Sequence, residues 1–118
     1  MAKKTEANEL SYIDFEWEGS TYTMEFNRRS TEVLEKRLGV NIASTLSGDV
    51  EVTDLPNIFA ASLLMHHPNM KPSTIETLYS LMGDKQGLMA ALVELLANTV
   101  NSVFEEPEEG KAISWNRH

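Results

Sequence analysis

At 118 residues and 42% hydrophobic content, the chain has the length of about one domain and enough apolar material for its own core. It contains no cysteine, which excludes disulfide frameworks, thiolate metal sites and cysteine nucleophiles, and fits a reducing compartment. The formal charge of −8 excludes a broad phosphate-binding face: the basic doublets Lys3-Lys4, Arg28-Arg29 and Lys36-Arg37 are scattered among acids. That balance favours solubility and encounters with basic protein surfaces.

Residues 1–11 begin polar, lack the apolar segment of a secretory signal, and are expected to be flexible. No apolar stretch approaches the ~20 residues of a membrane span. The chain is therefore expected in the cytoplasm, without membrane or nucleic-acid partners.

The first element is a β-hairpin over residues 12–26. Tyr12 to Glu18 alternates strictly, putting Ile13, Phe15 and Trp17 on one face, and Thr21 to Phe26 alternates again. Gly19-Ser20 as a type II′ turn pairs Trp17 with Tyr22, Phe15 with Met24 and Ile13 with Phe26, so that six apolar side chains share a face. The other face carries Asp14, Glu16, Glu18 and Glu25, with Asp14 expected opposite Glu25. It is a solvated face or, in the sharper reading, a docking surface for a basic partner.

The helical body is expected over residues 30–104. Ser30 or Thr31 is the expected cap of a first helix whose stripe is Val33, Leu34 and Leu38, stopped by Gly39. A helical turn or loop follows to Leu46. Asp54 is the expected cap of a central helix reaching about His67, apolar nearly all round. Ser73-Thr74-Ile75-Glu76 has the form of a capping box opening a helix with Ile75, Leu78, Tyr79 and Met82 inward. Gly83 ends it, and Asp84 caps the next.

The longest helix is expected over residues 85–104. One apolar row runs Leu88, Leu92, Leu95, Thr99 and Val103; a second runs Met89, Val93, Leu96, Val100 and Phe104. Together they are wider than the ~100° stripe that covers a single core. Either this is a plain core helix in a small bundle, or the second row faces a partner or a second copy in a homo-oligomer. Residues 105–118 open with a like-charged run and are expected to be an acidic flexible tail. The whole reads as a single α+β domain over residues 12–104, a hairpin followed by a bundle of about four helices.

Sites for chemistry are not indicated. His66-His67 is the one pair suggestive of a metal, but adjacent helical residues point about 100° apart. No phosphate-cradling glycine motif and no nucleophile elbow occurs. The acid pairs of the tail have no apolar pocket to tune them. Catalysis, cofactor and metal are therefore not expected, and function is expected to lie in binding protein.

The hairpin Phe15-Glu16-Trp17-Glu18-Gly19-Ser20-Thr21-Tyr22-Thr23-Met24-Glu25-Phe26, followed by Val33-Leu34-Glu35-Lys36-Arg37-Leu38-Gly39-Val40, resembles the small tail assembly chaperones of long-tailed bacteriophages. The likeness extends loosely over residues 58–104. It implies a phage or prophage protein made in the bacterial host cytoplasm, which coats the aggregation-prone tape-measure protein and helps recruit tail-tube subunits. It also implies a longer form made by ribosomal frameshifting, for which Glu109-Gly110-Lys111 is a codable slippery site. The alternative is an acidic adaptor or inhibitor, of which a DNA mimic is one form, that engages a basic partner through the hairpin face.

Overall fold

The computed structural model describes residues 10–51, 53–103 and 110–117. Expectations for residues 1–9 and 104–109, Phe104 included, lie outside them. Strands β1 (Ile13–Trp17) and β2 (Ser20–Met24) form an antiparallel hairpin. Five helices follow among the described residues. Helix α1 runs from Arg28–Glu32 into a π-helical second half, Val33–Arg37. Then come α2 (Ile42–Leu46), α3 (Asp54–Leu63), α4 (Pro72–Leu81) and α5 (Lys85–Val103). The architecture is α+β, as expected.

The hairpin register differs from the expected one. Phe15 pairs with Tyr22, Ile13 with Met24 and Trp17 with Ser20, so the turn is Glu18-Gly19 rather than Gly19-Ser20. Both turn residues have positive φ, 47° and 81°, as a type I′ turn requires. That turn's twist matches the strands, and this offsets the left-handed conformation at Glu18. A shift of two residues leaves every side chain on its original face. Ile13, Phe15, Trp17 and Tyr22 are accordingly half-buried against the core, with Met24 and Phe26 buried in it.

The first cap also moves. Helix α1 starts from Asn27, whose Oδ1 accepts the Ser30 N–H at 2.8 Å while Ser30 Oγ accepts the Asn27 N–H at 2.9 Å. Ser30 is thus the inner member of a capping box, three residues inside the helix, rather than its cap. The π-helical turn closes with Leu38 N–H donating to Val33 O at 3.0 Å, and Gly39 leaves it at φ 72°. Asn41 caps α2 by accepting the Ser44 N–H at 2.9 Å.

Helix α3 begins at Asp54 itself, with Thr53 in the cap position and no side-chain cap bond. It stops at Leu63 and gives way to turns before Pro68. Helix α4 opens one residue before the expected capping box: Pro72 occupies the first position, and Thr74 and Ile75 donate to Lys71 O. Proline supplies a preset φ and has no N–H to satisfy there, which displaces Ser73 from the cap. Asp84 caps α5 as expected, Oδ1 accepting the Gly87 N–H at 3.1 Å.

Helix α3 is the hub. It packs against β2, both halves of α1, α4 and α5, burying Leu55, Ile58, Phe59, Ala61, Ser62 and Leu63. Aromatic rings run through it from hairpin to α4. Tyr22 stacks on Phe15 (centroids 5.2 Å), Phe15 faces Phe59 (6.3 Å), and Phe59 meets Tyr79 (5.5 Å). Among the described residues no buried side-chain nitrogen or oxygen lacks a hydrogen-bond partner. Leu10, expected in the flexible N-terminus, packs on the core, and its carbonyl accepts from Asn98 Nδ2 at 2.9 Å.

Candidate functional site

The two apolar rows of α5 have different fates. Leu88, Leu92 and Leu95 of the first row are buried. The second row is divided. Leu96 has no exposed surface and belongs to the core, while Met89 and Val100 are half-buried and packed against it. Val93 is half-buried. Leu96 is therefore removed from any docking face: the core takes the middle of the row because α5 packs on both α2 and α3. What remains for a partner is Met89, Val93 and Val100, one margin of a helix whose main stripe is occupied.

Asp14 and Glu16 are exposed on the outer face of β1, and Glu18, expected beside them, is exposed in the turn instead. Glu25 does not join them. It lies beyond β2, its N–H donates to Ser62 O at 2.8 Å, and its Oε1 stands 2.8 Å from His66 Nε2. Asp14 is opposite Thr23, so the expected like-charge opposition is absent, and the strand face carries two of the four expected carboxylates with Glu18 in the adjoining turn.

The two histidines hold the end of α3 to the hairpin. His67 Nε2 accepts the Thr23 N–H at 3.1 Å, and its ring lies 5.3 Å from that of Tyr22. Burial, then the neighbouring His66 charge, pushes the His67 pKa below the ordinary 6.5. Each Nε2 is thus engaged with a different partner. Among the described residues no group of three His, Asp or Glu side chains converges on a metal-sized site.

An open groove of about 510 Å³ lies between α3 and α4. Pro56, Asn57 and Ala60 form one wall; Pro72, Ile75, Glu76 and Tyr79 form the other; Leu38 closes one end. The hydrophobic periodicity places Ile75 and Tyr79 inward and gives no sign of this groove. The available signal is Pro56-Ala60 at a four-residue spacing and Pro72-Ile75-Tyr79 at three and four, with the small side chain of Ala60 leaving space between the two faces. Farther along, Ile113 and Trp115 are 90% and 79% exposed, so this apolar pair contacts little of the body.

No helix among the described residues is long and apolar enough to cross a membrane. No curated protein and no solved structure matches the chain. A family model does match, over residues 1–118. The chain therefore belongs to the family described as Domain of unknown function (DUF5055).

Proposed function

We propose that this protein is a tail assembly chaperone of a phage or prophage, acting by binding rather than catalysis. Its client would be the tape-measure protein, with tail-tube subunits as later partners. The observation that carries the reading is the apolar groove between α3 and α4, walled by Ala60, Ile75 and Tyr79. An open apolar trough beside helices accepts an amphipathic helix presenting residues at three- and four-residue spacing. Met89, Val93 and Val100 add a second apolar margin, and the charge of −8 keeps a client-loaded particle in solution. The order of elements, hairpin then helices, agrees with the resemblance noted from the sequence.

Co-expression with a phage tape-measure protein tests it. A soluble complex that Ile75→Glu weakens is the expected result. Unchanged client solubility and no co-eluting complex would overturn the proposal.

A second reading is favoured by one feature, the exposed carboxylates Asp14 and Glu16 on the hairpin's outer face with Glu18 in the adjoining turn. As an acidic adaptor, the protein would bind a basic partner there. Neutralising the three carboxylates would then abolish binding, whereas a salt-insensitive interaction would count against it.

A further inference from the structure

The basic residues that look scattered in the sequence are gathered by the fold. Four of the chain's ten Lys and Arg residues lie on the single helix α1: Arg28, Arg29, Lys36 and Arg37. Arg28 turns toward α5, sharing a crevice with Thr99 and Val100. The other three line a different side of the helix, together with Glu32 and Val33. Arg29 and Arg37 also border a cleft of about 230 Å³ completed by Asn27, Ser30, Val33, Leu64, Met65 and Pro68.

Charge and apolarity are combined in this cleft. Val33, Leu64 and Pro68 supply apolar surface, and Met65 is 42% exposed, unusual for a large hydrophobic residue here. Among the described residues Arg29, Lys36 and Arg37 have no acidic partner at ion-pair distance, although acids outnumber bases 18 to 10 in the chain. All three are exposed, so each is accessible to a carboxylate from a partner.

We infer that the cleft between α1 and the turn after α3 is a docking site for an acidic amphipathic segment of a partner protein. Arg29 and Arg37 are eight positions apart, about two turns along α1, and both border the cleft. The matching ligand carries two carboxylates at that spacing with an apolar side chain midway, to lie on Val33 and Met65. A helix bearing acids eight residues apart has this form. Guanidinium groups suit carboxylates because they can donate two parallel N–H bonds. Nucleic acid fits less well: Glu32 lies within the basic row, and the net charge of −8 repels a polyanion. This surface is separate from the α3–α4 groove, so it stands or falls independently of the chaperone proposal.

The test is fluorescence anisotropy of the full chain with a labelled helical peptide carrying two glutamates eight residues apart and leucine midway. Binding should weaken as salt rises. Arg29→Glu and Arg37→Glu should each lower affinity by about tenfold or more, the scale of a lost charge-assisted contact. Arg28→Glu, the same charge change on the other side of α1, should lower it by less than about threefold. Met65→Ala should weaken binding without altering its salt dependence. Far-ultraviolet circular dichroism and the thermal midpoint check folding, and Arg29→Gln and Arg37→Gln repeat the test without adding like charge beside Glu32. Three results would overturn the inference: equal loss with Arg28→Glu, equal competition by a single-stranded oligonucleotide, or sedimentation showing that the cleft binds a second copy of this chain instead.

Discussion

His67 Nε2 accepts the backbone N–H of Thr23 at 3.1 Å, tying the turn after α3 to β2 across 44 positions of sequence. That bond exists only while Nε2 carries no proton, so the attachment of the hairpin is sensitive to pH. The groups around it are the Tyr22 ring, His66 and, through His66, Glu25.

The first prediction follows from the lowered pKa of His67. A base whose folded pKa is depressed favours the folded state when neutral. Its contribution is complete above the unfolded value of 6.5 and is lost as pH falls through the lower folded value. Glu25 Oε1 lies 2.8 Å from His66 Nε2, and Glu25→Gln removes that carboxylate from the comparison. Urea midpoints measured in a Glu25→Gln background should therefore fall below pH 6.5, and His67→Gln should flatten that fall. An identical pH profile with and without His67 would refute the assignment.

Phe59 has no exposed surface and touches the rings of both Phe15 and Tyr79. Phe59→Ala should cost about 3–5 kcal/mol, the usual range for an aromatic truncated in a core. Equilibrium denaturation measures this directly. Because hairpin and α4 meet through this ring, both should unfold in one transition. Separate transitions for the two would contradict that coupling.

The type I′ turn makes a prediction that the alternative turn does not. Asparagine tolerates the left-handed conformation better than glutamate, so Glu18→Asn should raise the thermal midpoint modestly, by less than about 1 kcal/mol in stability. Gly19→Val should lower stability by about 1–2 kcal/mol, because φ is 81° there. With Gly19-Ser20 at the centre instead, Glu18→Asn would bring no gain.

Two residues three positions apart on α5 should respond very differently. Leu96→Ala should destabilise by about 2–5 kcal/mol, since it opens a cavity in the core. Val93→Ala, at a half-buried position, should cost well under half of that. Similar values from chemical denaturation would mean that the second row is not divided as described.

The Asn27 cap offers a last check. Asn27→Ala should cost about 1 kcal/mol, the usual value for a lost N-cap. Its effect should exceed that of Thr31→Ala, whose hydroxyl only donates to Asn27 O.

Much of this protein is written in periodicity. Alternation over residues 13–17 and 20–24 decides the hairpin and its buried face, because side chains in a strand point to opposite sides with a period of two. The same argument finds the broad apolar surface of α3 and the long α5, and Asp84 is recognisable as a cap because its local bond involves only three neighbours. The family-level outline, hairpin then helices in an acidic chain, is thus legible without a structure.

Other features were decided only by tertiary packing. The register moved by two residues because either turn keeps the same faces buried, so burial alone cannot choose between them. The caps moved because Asn27 and Pro72 compete with nearby serines that satisfy the same local rule. Leu96 went to the core and Val93 to its margin because the neighbours of α5 take up one part of a wide stripe, which no helical wheel specifies. Arg29 and Arg37 are eight positions apart on α1, yet both border a cleft completed by Leu64, Met65 and Pro68 of a distant segment. A sequence fixes which faces are apolar and where charges fall along a helix; only the fold determines which of those faces are covered and which charges are left to meet a partner.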